Sequence, residues 1–258
     1  MKKADRVTVI KDRVKDISRS PFQSYKEIFV GSDRFFDFIK YELVLTLFSW
    51  LPGAIGLFLR KLFYPLIFGK IGKGVVFGRN ITIRHPAKIF IGDRAVIDDN
   101  VVLDAKGENS YIKIGDNVII TKNVILGCKG GFIEIGDNTT VAMNSIFQAE
   151  TSLIVGENVI IAAFCHLVAG GNHDFSRLDI PVIQQPSRNK GGIKVEKNCW
   201  LASNVVVLDG VTIGRDSIIG AGSVVNKDIL EFSIAYGIPA KVVQNRKETK
   251  SRRKPDRF

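Results

Sequence analysis

Three histidines, His85, His166 and His173, are the first residues to consider for chemistry in this chain. His173 lies in the segment Gly-Gly-Asn-His-Asp-Phe, with Asp174 as its next neighbour. An imidazole titrates near neutral pH, so it can accept a proton as a general base under physiological conditions. The segment therefore predicts a general base at His173, with an ordinary surface histidine as the alternative.

A six-residue repeat indicates which elements position this segment. Starting at Val195, an aliphatic residue recurs at every sixth position up to Val225. An α-helix repeats after about 3.6 residues and a strand after about two, so neither gives this period. A period of six is typical of a β-solenoid, in which each hexad forms one side of a prism and its first residue points inward.

The repeat extends upstream in triplets of hexads, which predicts about seven turns. The predicted inward residues are Ile71, Phe77, Ile83, Ile91, Ile97, Leu103, Ile114, Ile120, Leu126, Ile135, Val141, Phe147, Val155, Ile161, Leu167, Val195, Leu201, Val207, Ile213, Ile219 and Val225. Extra residues follow the third hexad of a triplet, and the longest insertion, between Leu167 and Val195, carries His173. Long excursions on an economical scaffold are usually functional.

Most triplets open with an aliphatic–Gly pair such as Ile114-Gly115. We interpret that glycine as a corner residue whose backbone conformation is costly for other residues.

The same turns separate the histidines. His85 falls in the first turn and His166 in the fifth, which places them roughly 19 Å apart along the axis at about 4.8 Å per turn. A zinc site built from all three histidines is therefore not expected, and no metal is predicted. His166 precedes the inward Leu167 and should point outward.

Composition narrows the class of protein. The chain has 258 residues, a formal net charge of +11 and three cysteines, too few for a disulfide framework. No secretory signal is visible in its charged first thirty residues, which favours the cytoplasm. The basic tail, residues 244–258, is either solvated or attracted to anionic lipid. It lacks aromatic residues between its charges for base stacking, so no nucleic-acid partner is expected.

An apolar stretch precedes the repeat. Residues 43–59 carry no charge and contain Pro52-Gly53 near their middle, which predicts two short helices rather than one that spans a membrane. We expect them to lie in one leaflet on the inner face of the cell membrane. Basic side chains would reach the head groups and aromatic ones the interface, namely Arg34, Lys40, Arg60, Lys61, Tyr41, Trp50 and Tyr64. The alternative is a hydrophobic cap on the end of the solenoid. The predicted regions are thus a helical, membrane-associating segment at 1–69, a solenoid at 70–243 with a loop at 168–194, and the tail.

Five segments, taken in order, make the chain resemble the hexapeptide-repeat O-acetyltransferases. They are NHDF (172–175), CWLAS (199–203), GVTIG (210–214), IGAGSVVNKD (219–228) and YGIPAKVV (236–243). The resemblance covers about residues 71–243. It includes the galactoside, maltose and nodulation-factor acetyltransferases, and the N-terminal segment is similar to that of capsule and O-antigen modifying members.

The resemblance implies a mainly β fold, a left-handed parallel β-helix, assembled as a homotrimer with active sites between subunits. It implies acetyl-CoA as donor and a sugar hydroxyl as acceptor. His173 matches the family's catalytic histidine, and Asn144 matches an asparagine that contacts the acceptor. Asp174 is expected to contact the acceptor as well. The group that orients the His173 ring is left open between Asp174, Asp179 and a backbone carbonyl.

The donor side of the resemblance rests on six positions. They are Trp200, Ser203, Ala221, Asn226, Lys227 and Lys241. Asn226 occupies a place often held by threonine, and Leu201-Ala202 replaces the usual Ile-Gly. Asn144 could instead belong to a ladder of corner asparagines.

The predicted function is acetyl transfer from acetyl-CoA to a sugar hydroxyl of a lipid-linked or cell-surface glycan precursor, with His173 as general base. One alternative is a longer-chain acyltransferase that uses acyl carrier protein, whose acidic surface the basic chain could suit. The other is a non-catalytic trimeric scaffold at the membrane.

Overall fold

A computed structural model describes residues 20–249 and shows a parallel β-solenoid preceded by helices. Its strands, numbered in chain order, form three sheets named A, B and C. Sheet A contains β1 (Lys70–Ile71), β4 (Ile89–Ile91), β7 (Tyr111–Ile114), β10 (Phe132–Ile135), β13 (Ser152–Val155), β16 (Ile193–Val195) and β19 (Thr212–Ile213). Sheet B contains β2 (Val76–Phe77), β5 (Val96–Ile97), β8 (Ile119–Ile120), β11 (Thr140–Val141), β14 (Ile160–Ile161), β17 (Trp200–Leu201), β20 (Ile218–Ile219), β22 (Ser233–Gly237) and β23 (Ala240–Asn245). Sheet C contains β3 (Thr82–Arg84), β6 (Val102–Lys106), β9 (Ile125–Lys129), β12 (Ile146–Ala149), β15 (His166–Ala169), β18 (Val206–Leu208) and β21 (Val224–Val225).

The core is a column of aliphatic side chains inside the prism. The predicted inward residues are buried, from Phe77 in the first turn to Val225 in the last, except for Ile71, which is only partly buried at the open start of sheet A. Each strand is only two to five residues long in the solenoid turns, yet it pairs in register with the turns before and after it. Burial of this column is the main source of stability, at about 25 cal/mol for each Å² of apolar surface.

Three edges join the sheets, and asparagine builds two of them. We call them the A–B, B–C and C–A edges after the sheets they connect. Corner asparagines such as Asn117 and Asn144 adopt positive φ angles of 54° and 60°. Asparagine tolerates this left-handed conformation better than most residues.

The predicted reason for the aliphatic–Gly pairs is wrong. Gly115 and Gly214 are not among the glycines with positive φ. A Cβ on Gly115 would lie 2.3 Å from Asp137 Oδ1, and one on Gly214 would lie 2.5 Å from Glu231 N. Glycine is required at these corners because the next turn passes too close for a side chain.

Helices cover the start of the solenoid. They are α1 (Pro21–Tyr25), a π-helical segment (Lys26–Val30), α2 (Phe35–Phe48) and α3 (Gly53–Phe63), with short 3-10 helices at Tyr64–Leu66 and Pro86–Lys88. A third 3-10 helix, Val182–Gln184, lies in the insertion between β15 and β16. The chain breaks between α2 and α3 at Pro52, as the sequence predicts. The last helix, α4 (Arg246–Thr249), follows β23, and residues 250–258 of the basic tail lie outside the described residues.

Three side chains assigned to the membrane interface instead hold the helices on the first turn. Arg60 is buried, and its guanidinium donates to the carbonyl oxygens of Phe77 and Leu51 at 3.0 and 2.7 Å. Tyr41 is buried and donates its hydroxyl to Ile83 O at 2.7 Å, and Tyr64 is fully buried. The prediction was wrong because hydropathy alone does not distinguish an aromatic or basic residue at a lipid surface from one packed on an exposed strand edge.

The opposite face of these helices carries apolar side chains on the surface. They are Phe35, Phe36, Ile39, Leu43, Leu47, Trp50, Ile55, Leu57, Phe58, Leu62 and Leu66, and we call them the apolar cap surface. Among the described residues, no helix has the length and apolar character needed to cross a membrane.

Candidate active site

The insertion that carries His173 leaves the solenoid after Ala169 at the end of β15 and returns at Ile193 in β16. Its two ends run antiparallel. Arg188 N donates to Asn172 O at 2.6 Å, and Asp174 N donates to Pro186 O at 2.9 Å. His173 lies between these two bonds, paired with Ser187. The histidine is therefore part of a short two-stranded ribbon at the C–A edge and not of a free loop tip.

A buried carboxylate fixes both ends of this ribbon to the next turn. Asp209, only 6% exposed, accepts from Asn172 Nδ2 at 2.9 Å on the outgoing end. It also accepts from the backbone N–H groups of Lys190 at 2.6 Å and Gly192 at 2.8 Å on the returning end. Hydrogen bonds to an ionised acceptor are stronger than neutral ones. Sequence reasoning missed Asp209, and the available signal was an acidic residue directly before Gly210 at a corner of the repeat.

Two further contacts order the loop. Glu150 Oε2 accepts from Gly171 N at 3.1 Å, which ties the outgoing end to the preceding turn. Farther out, the buried Gln185 donates to the carbonyl oxygens of Arg177 and Ile180 at 2.7 and 3.2 Å and accepts from Arg177 N at 3.1 Å. The loop is therefore held internally as well as at its root.

The ring of His173 is exposed, and within residues 20–249 it has no hydrogen-bond partner. Asp174 is occupied, because it pairs with Arg188 at 2.7 Å and accepts from Ser176 N at 3.0 Å. The hydrogen bonds from Ser176, followed by the charge of Arg188, lower the pKa of Asp174. Asp179 is occupied as well, in an ion pair with Arg177. Neither carboxylate holds the His173 ring within this chain, so a backbone carbonyl or a second copy is left as the orienting group.

The other histidines lie elsewhere. His85 is buried beneath the N-terminal helices with its Nε2 at 2.8 Å from Glu27 O, and burial lowers its pKa. His166 points outward from sheet C, as predicted, and burial by its surroundings lowers its pKa too. Within the part of the chain that the structure describes, no group of three His, Cys, Asp or Glu side chains could hold a metal ion.

Asn144 lies on the B–C edge and does belong to an asparagine ladder, but at its end. Its Oδ1 accepts from Asn123 Nδ2 at 3.1 Å in the preceding turn. The corresponding position in the following turn is Phe164, whose backbone N–H donates to Met143 O. Within the described residues the Asn144 amide N–H₂ group therefore has no partner. An amide fixed through its oxygen presents two N–H donors to a ligand.

Asn144 and His173 lie at opposite edges of the same face. The B–C edge, with Asn144, starts sheet C, and the C–A edge, with the His173 loop, ends it. Strand β15 and its flanking residues separate the two positions by roughly 15–20 Å at about 3.3 Å per residue. Within one chain the two side chains do not meet.

The six candidate donor-site residues do not form one cluster within the chain. Ser203 and Ala221 are neighbours on the B–C edge, where Gly222 N donates to Ser203 O at 2.9 Å. Trp200 is half exposed on sheet B in the same turn as Ser203. Asn226 and Lys227 follow β21 on the C–A edge, and Lys241 is exposed on the β22–β23 hairpin opposite Tyr236.

Comparison with known proteins agrees with this architecture. The family profile described as "Bacterial transferase hexapeptide (six repeats)" matches residues 192–227, and "Hexapeptide repeat of succinyl-transferase" matches residues 70–105. A protein named as a colanic acid biosynthesis acetyltransferase, WcaF of Escherichia coli K12, is 29% identical over 205 residues, covering 79% of this chain and 84% of its own length. The galactoside O-acetyltransferase of the same organism is 35% identical over 117 residues, covering 45% of this chain and 55% of its own length.

A solved structure shares the fold. The polysialic acid O-acetyltransferase OatWY superposes with a TM-score of 0.54 at 21% identity, covering 69% of this chain and 86% of its own. This chain spans only 38% to 62% of the length of several curated relatives that are 30–36% identical to it. The likeness to these relatives is therefore partial.

Proposed function

We propose that this chain is a hexapeptide-repeat acyltransferase that transfers an acetyl group from acetyl-CoA to a sugar hydroxyl of a lipid-linked or cell-surface glycan precursor. Among its relatives, WcaF is named for colanic acid biosynthesis and the galactoside enzyme for O-acetylation. The observation that carries the proposal is the exposed His173 imidazole on a ribbon that the buried Asp209 fixes to the solenoid.

In the proposed reaction, neutral His173 accepts the proton of the acceptor hydroxyl while the oxygen attacks the thioester carbonyl. A carbon–oxygen bond forms, and the carbon–sulfur bond of the tetrahedral intermediate then breaks. CoA leaves as a thiolate, which takes its proton from the imidazolium. The negative charge on the intermediate's oxygen needs N–H donors, and the unpartnered amide of Asn144 supplies them.

Because Asn144 and His173 occupy opposite edges of sheet C, we propose that each site is completed between two copies in a homotrimer. A head-to-tail contact repeated around a threefold axis brings one edge of each chain against the other edge of its neighbour. The edge separation supports this arrangement, because a single chain cannot bring the two side chains to one substrate.

Three of the donor residues, Trp200, Ser203 and Ala221, are suited to a pantetheine arm at the B–C edge. The corner at Ala221 and Gly222 is exposed, and no atom lies within 4 Å of where a Cβ on Gly222 would stand. An extended pantetheine arm could approach that backbone closely. Trp200 offers an apolar face beside it, and the exposed Lys227 and Lys241 supply positive charge for phosphates. Asn226 lies beside Lys227.

We further propose that the protein works on the inner face of the cell membrane, where such acceptors are assembled. The apolar cap surface supports this, because monomeric soluble proteins rarely expose so many large apolar side chains together. Arg34, Lys40 and Lys61 are exposed on the same helices and can reach anionic head groups.

The test of the reaction is release of free CoA thiol from acetyl-CoA in the presence of glycan acceptors. His173→Ala should lower turnover by about two orders of magnitude while the oligomer stays intact. Leu178→Ala is the matched control, because Leu178 lies on the same loop and is 98% exposed. A His173→Ala enzyme that retains most of its turnover would refute the general base.

Flotation with vesicles that contain anionic lipid tests the membrane proposal. The wild type should float with the vesicles, and Ile55→Asp combined with Phe58→Asp should remain at the bottom of the gradient. Leu230→Asp, an equally exposed position at the far end of the solenoid, should float normally. A wild-type protein that never floats would contradict the proposal.

A further inference from the structure

One position on the B–C edge departs from the pattern of its column. In successive turns the second residue before the strand of sheet C has a positive φ; these residues are Asn80, Asn100, Asn123, Asn144, Phe164, Asn204 and Gly222. Backbone hydrogen bonds connect the column, with Phe164 N donating to Met143 O and Asn204 N to Ala163 O, each at 3.0 Å. Phe164 takes the same left-handed conformation, with φ 63°, as its asparagine neighbours.

A phenylalanine is a poor choice for this conformation within the fold itself. Bulky residues at positive φ are outliers, whereas asparagine and glycine adopt it readily. The Phe164 side chain is 55% exposed, so burial does not compensate for the strain. Among the described aromatic rings, none stacks on it. Strained residues that the packing does not explain cluster at ligand sites.

Phe164 also changes the residue beside it. An asparagine at this position could accept a hydrogen bond from the Asn144 amide and continue the ladder, as Asn144 itself does for Asn123. Phenylalanine offers no such acceptor. The substitution therefore leaves the Asn144 N–H₂ group free and places an aromatic ring next to it.

The location is the meeting point of the two proposed substrates. Asn144, on the acceptor side, lies one turn before Phe164, and Ser203, on the donor side, lies in the turn after it. One turn is about 4.8 Å along the axis. A sugar whose hydroxyl is held near Asn144 would have its ring within reach of the aromatic face.

We propose that Phe164 is a specificity-determining residue that stacks on the pyranose ring of the acceptor. The C–H face of a pyranose is apolar, and an aromatic ring presents an apolar, electron-rich face that complements it. This inference rests on the proposed function and names its acceptor class, a glycan with a pyranose ring at the reacting position. Acyclic alcohols would gain nothing from Phe164.

The experiment compares Phe164→Gly with Phe164→Tyr, using acetyl-CoA and a series of pyranoside and acyclic hydroxyl acceptors. Phe164→Gly places at this corner the residue that holds it at Gly222 and leaves the Asn144 amide free, so its melting temperature should stay within about 2–4 °C of the wild type. Its KM for pyranosides should rise about tenfold while its KM for acetyl-CoA stays constant. Phe164→Tyr should retain the KM of the wild type.

Phe232→Gly is the matched control. Phe232 is the other phenylalanine with positive φ in the described chain, at 61°, but it lies on the A–B edge against Lys247 and Arg215. Its replacement should leave both KM values unchanged. A wild type that acetylates no glycan would refute the proposed function. An active wild type whose KM for pyranosides is unaffected by Phe164→Gly would refute the role of Phe164 alone.

Discussion

The B–C and C–A edges of the solenoid differ in the length of the connections that form them. Four residues cross the B–C edge in every turn, for example between β11 and β12 and between β17 and β18. At the C–A edge the connection is two residues long between β9 and β10, and it extends to the whole of 170–192 between β15 and β16. One edge has constant length, and the other accepts insertions.

The difference has a physical cause. On the B–C edge, the left-handed corner residue donates its N–H to the preceding turn, as Asn144 does to Lys122 O at 3.1 Å. An extra residue would break that contact and shift every inward side chain. On the C–A edge, positive-φ glycines such as Gly130 and Gly170 reverse the chain, and longer segments can leave from them. A constant edge can hold its groups at fixed positions, and a variable edge can take up segments of different length.

The largest expected effect comes from combining chains that are each defective at one edge. His173→Ala and Asn144→Ala homo-oligomers should each lose most of their turnover. Because a site would take one residue from each of two chains, random mixing at equal amounts should restore about a quarter of the wild-type activity. Co-expression with two affinity tags and a thiol-release assay on the purified mixed oligomer measure this. Activity that stays at the level of the single variants would show that both residues act within one chain.

The next effect concerns the anchoring of the variable edge. Asp209→Ala removes the acceptor of three N–H groups and should lower kcat/KM by about 10- to 100-fold, because the ribbon that holds His173 loses its position. The kcat/KM of Asp209→Asn, which retains one acceptor oxygen, should lie between those of the wild type and of Asp209→Ala. Asp179→Ala removes only an exposed ion pair at the loop tip and serves as the control. Full activity in Asp209→Ala would mean that the loop is positioned by other contacts.

The smallest expected effect is a difference in the free energy of unfolding between alanine substitutions at two glycines at the root of the same loop. A Cβ at Gly192, where φ is 98°, would lie 2.2 Å from Ser152 O, so Gly192→Ala should cost about 2–3 kcal/mol. At Gly171, where φ is 74°, no atom lies within 4 Å of the added Cβ, so Gly171→Ala should cost about 1 kcal/mol for the backbone alone. Urea unfolding compares the two. Equal costs would indicate that the close approach at Ser152 relaxes.

The repeat was predictable from sequence because its signal is periodic and redundant. Residues such as Leu103 and Ile161 are buried where the period of six places them. The reason for the paired glycines was not predictable in the same way, because the approach of Asp137 to Gly115 depends on how tightly adjacent turns stack. A sequence shows the spacing of residues along the chain and not the gap between turns.

The candidate site was predictable in its residues more than in its arrangement. His173 and Asn144 were assigned from a resemblance, but their separation on opposite edges follows only from the three-sheet topology. Asp209 makes three contacts with residues 17 to 37 positions away, and no local pattern reports contacts of that range. Phe164 becomes conspicuous only when the asparagines of its column are aligned by structure.

The burial of Arg60 has a consequence for how the chain avoids self-association. Without the helices, the first strands of the solenoid would present unpaired backbone groups, and such an edge can recruit a strand from another molecule and grow into a fibre. Arg60 donates a hydrogen bond to the carbonyl oxygen of Phe77, and Tyr41 donates one to the carbonyl oxygen of Ile83. The backbone N–H of Asn80 donates to Ser49 O at 2.7 Å. The helices that present apolar side chains outward thus also cover the edge of the first strands and prevent end-to-end polymerisation. Loss of Arg60 would free the carbonyl of Phe77 and remove one of the three contacts that hold the apolar helices on the first turn, which would increase the tendency to aggregate.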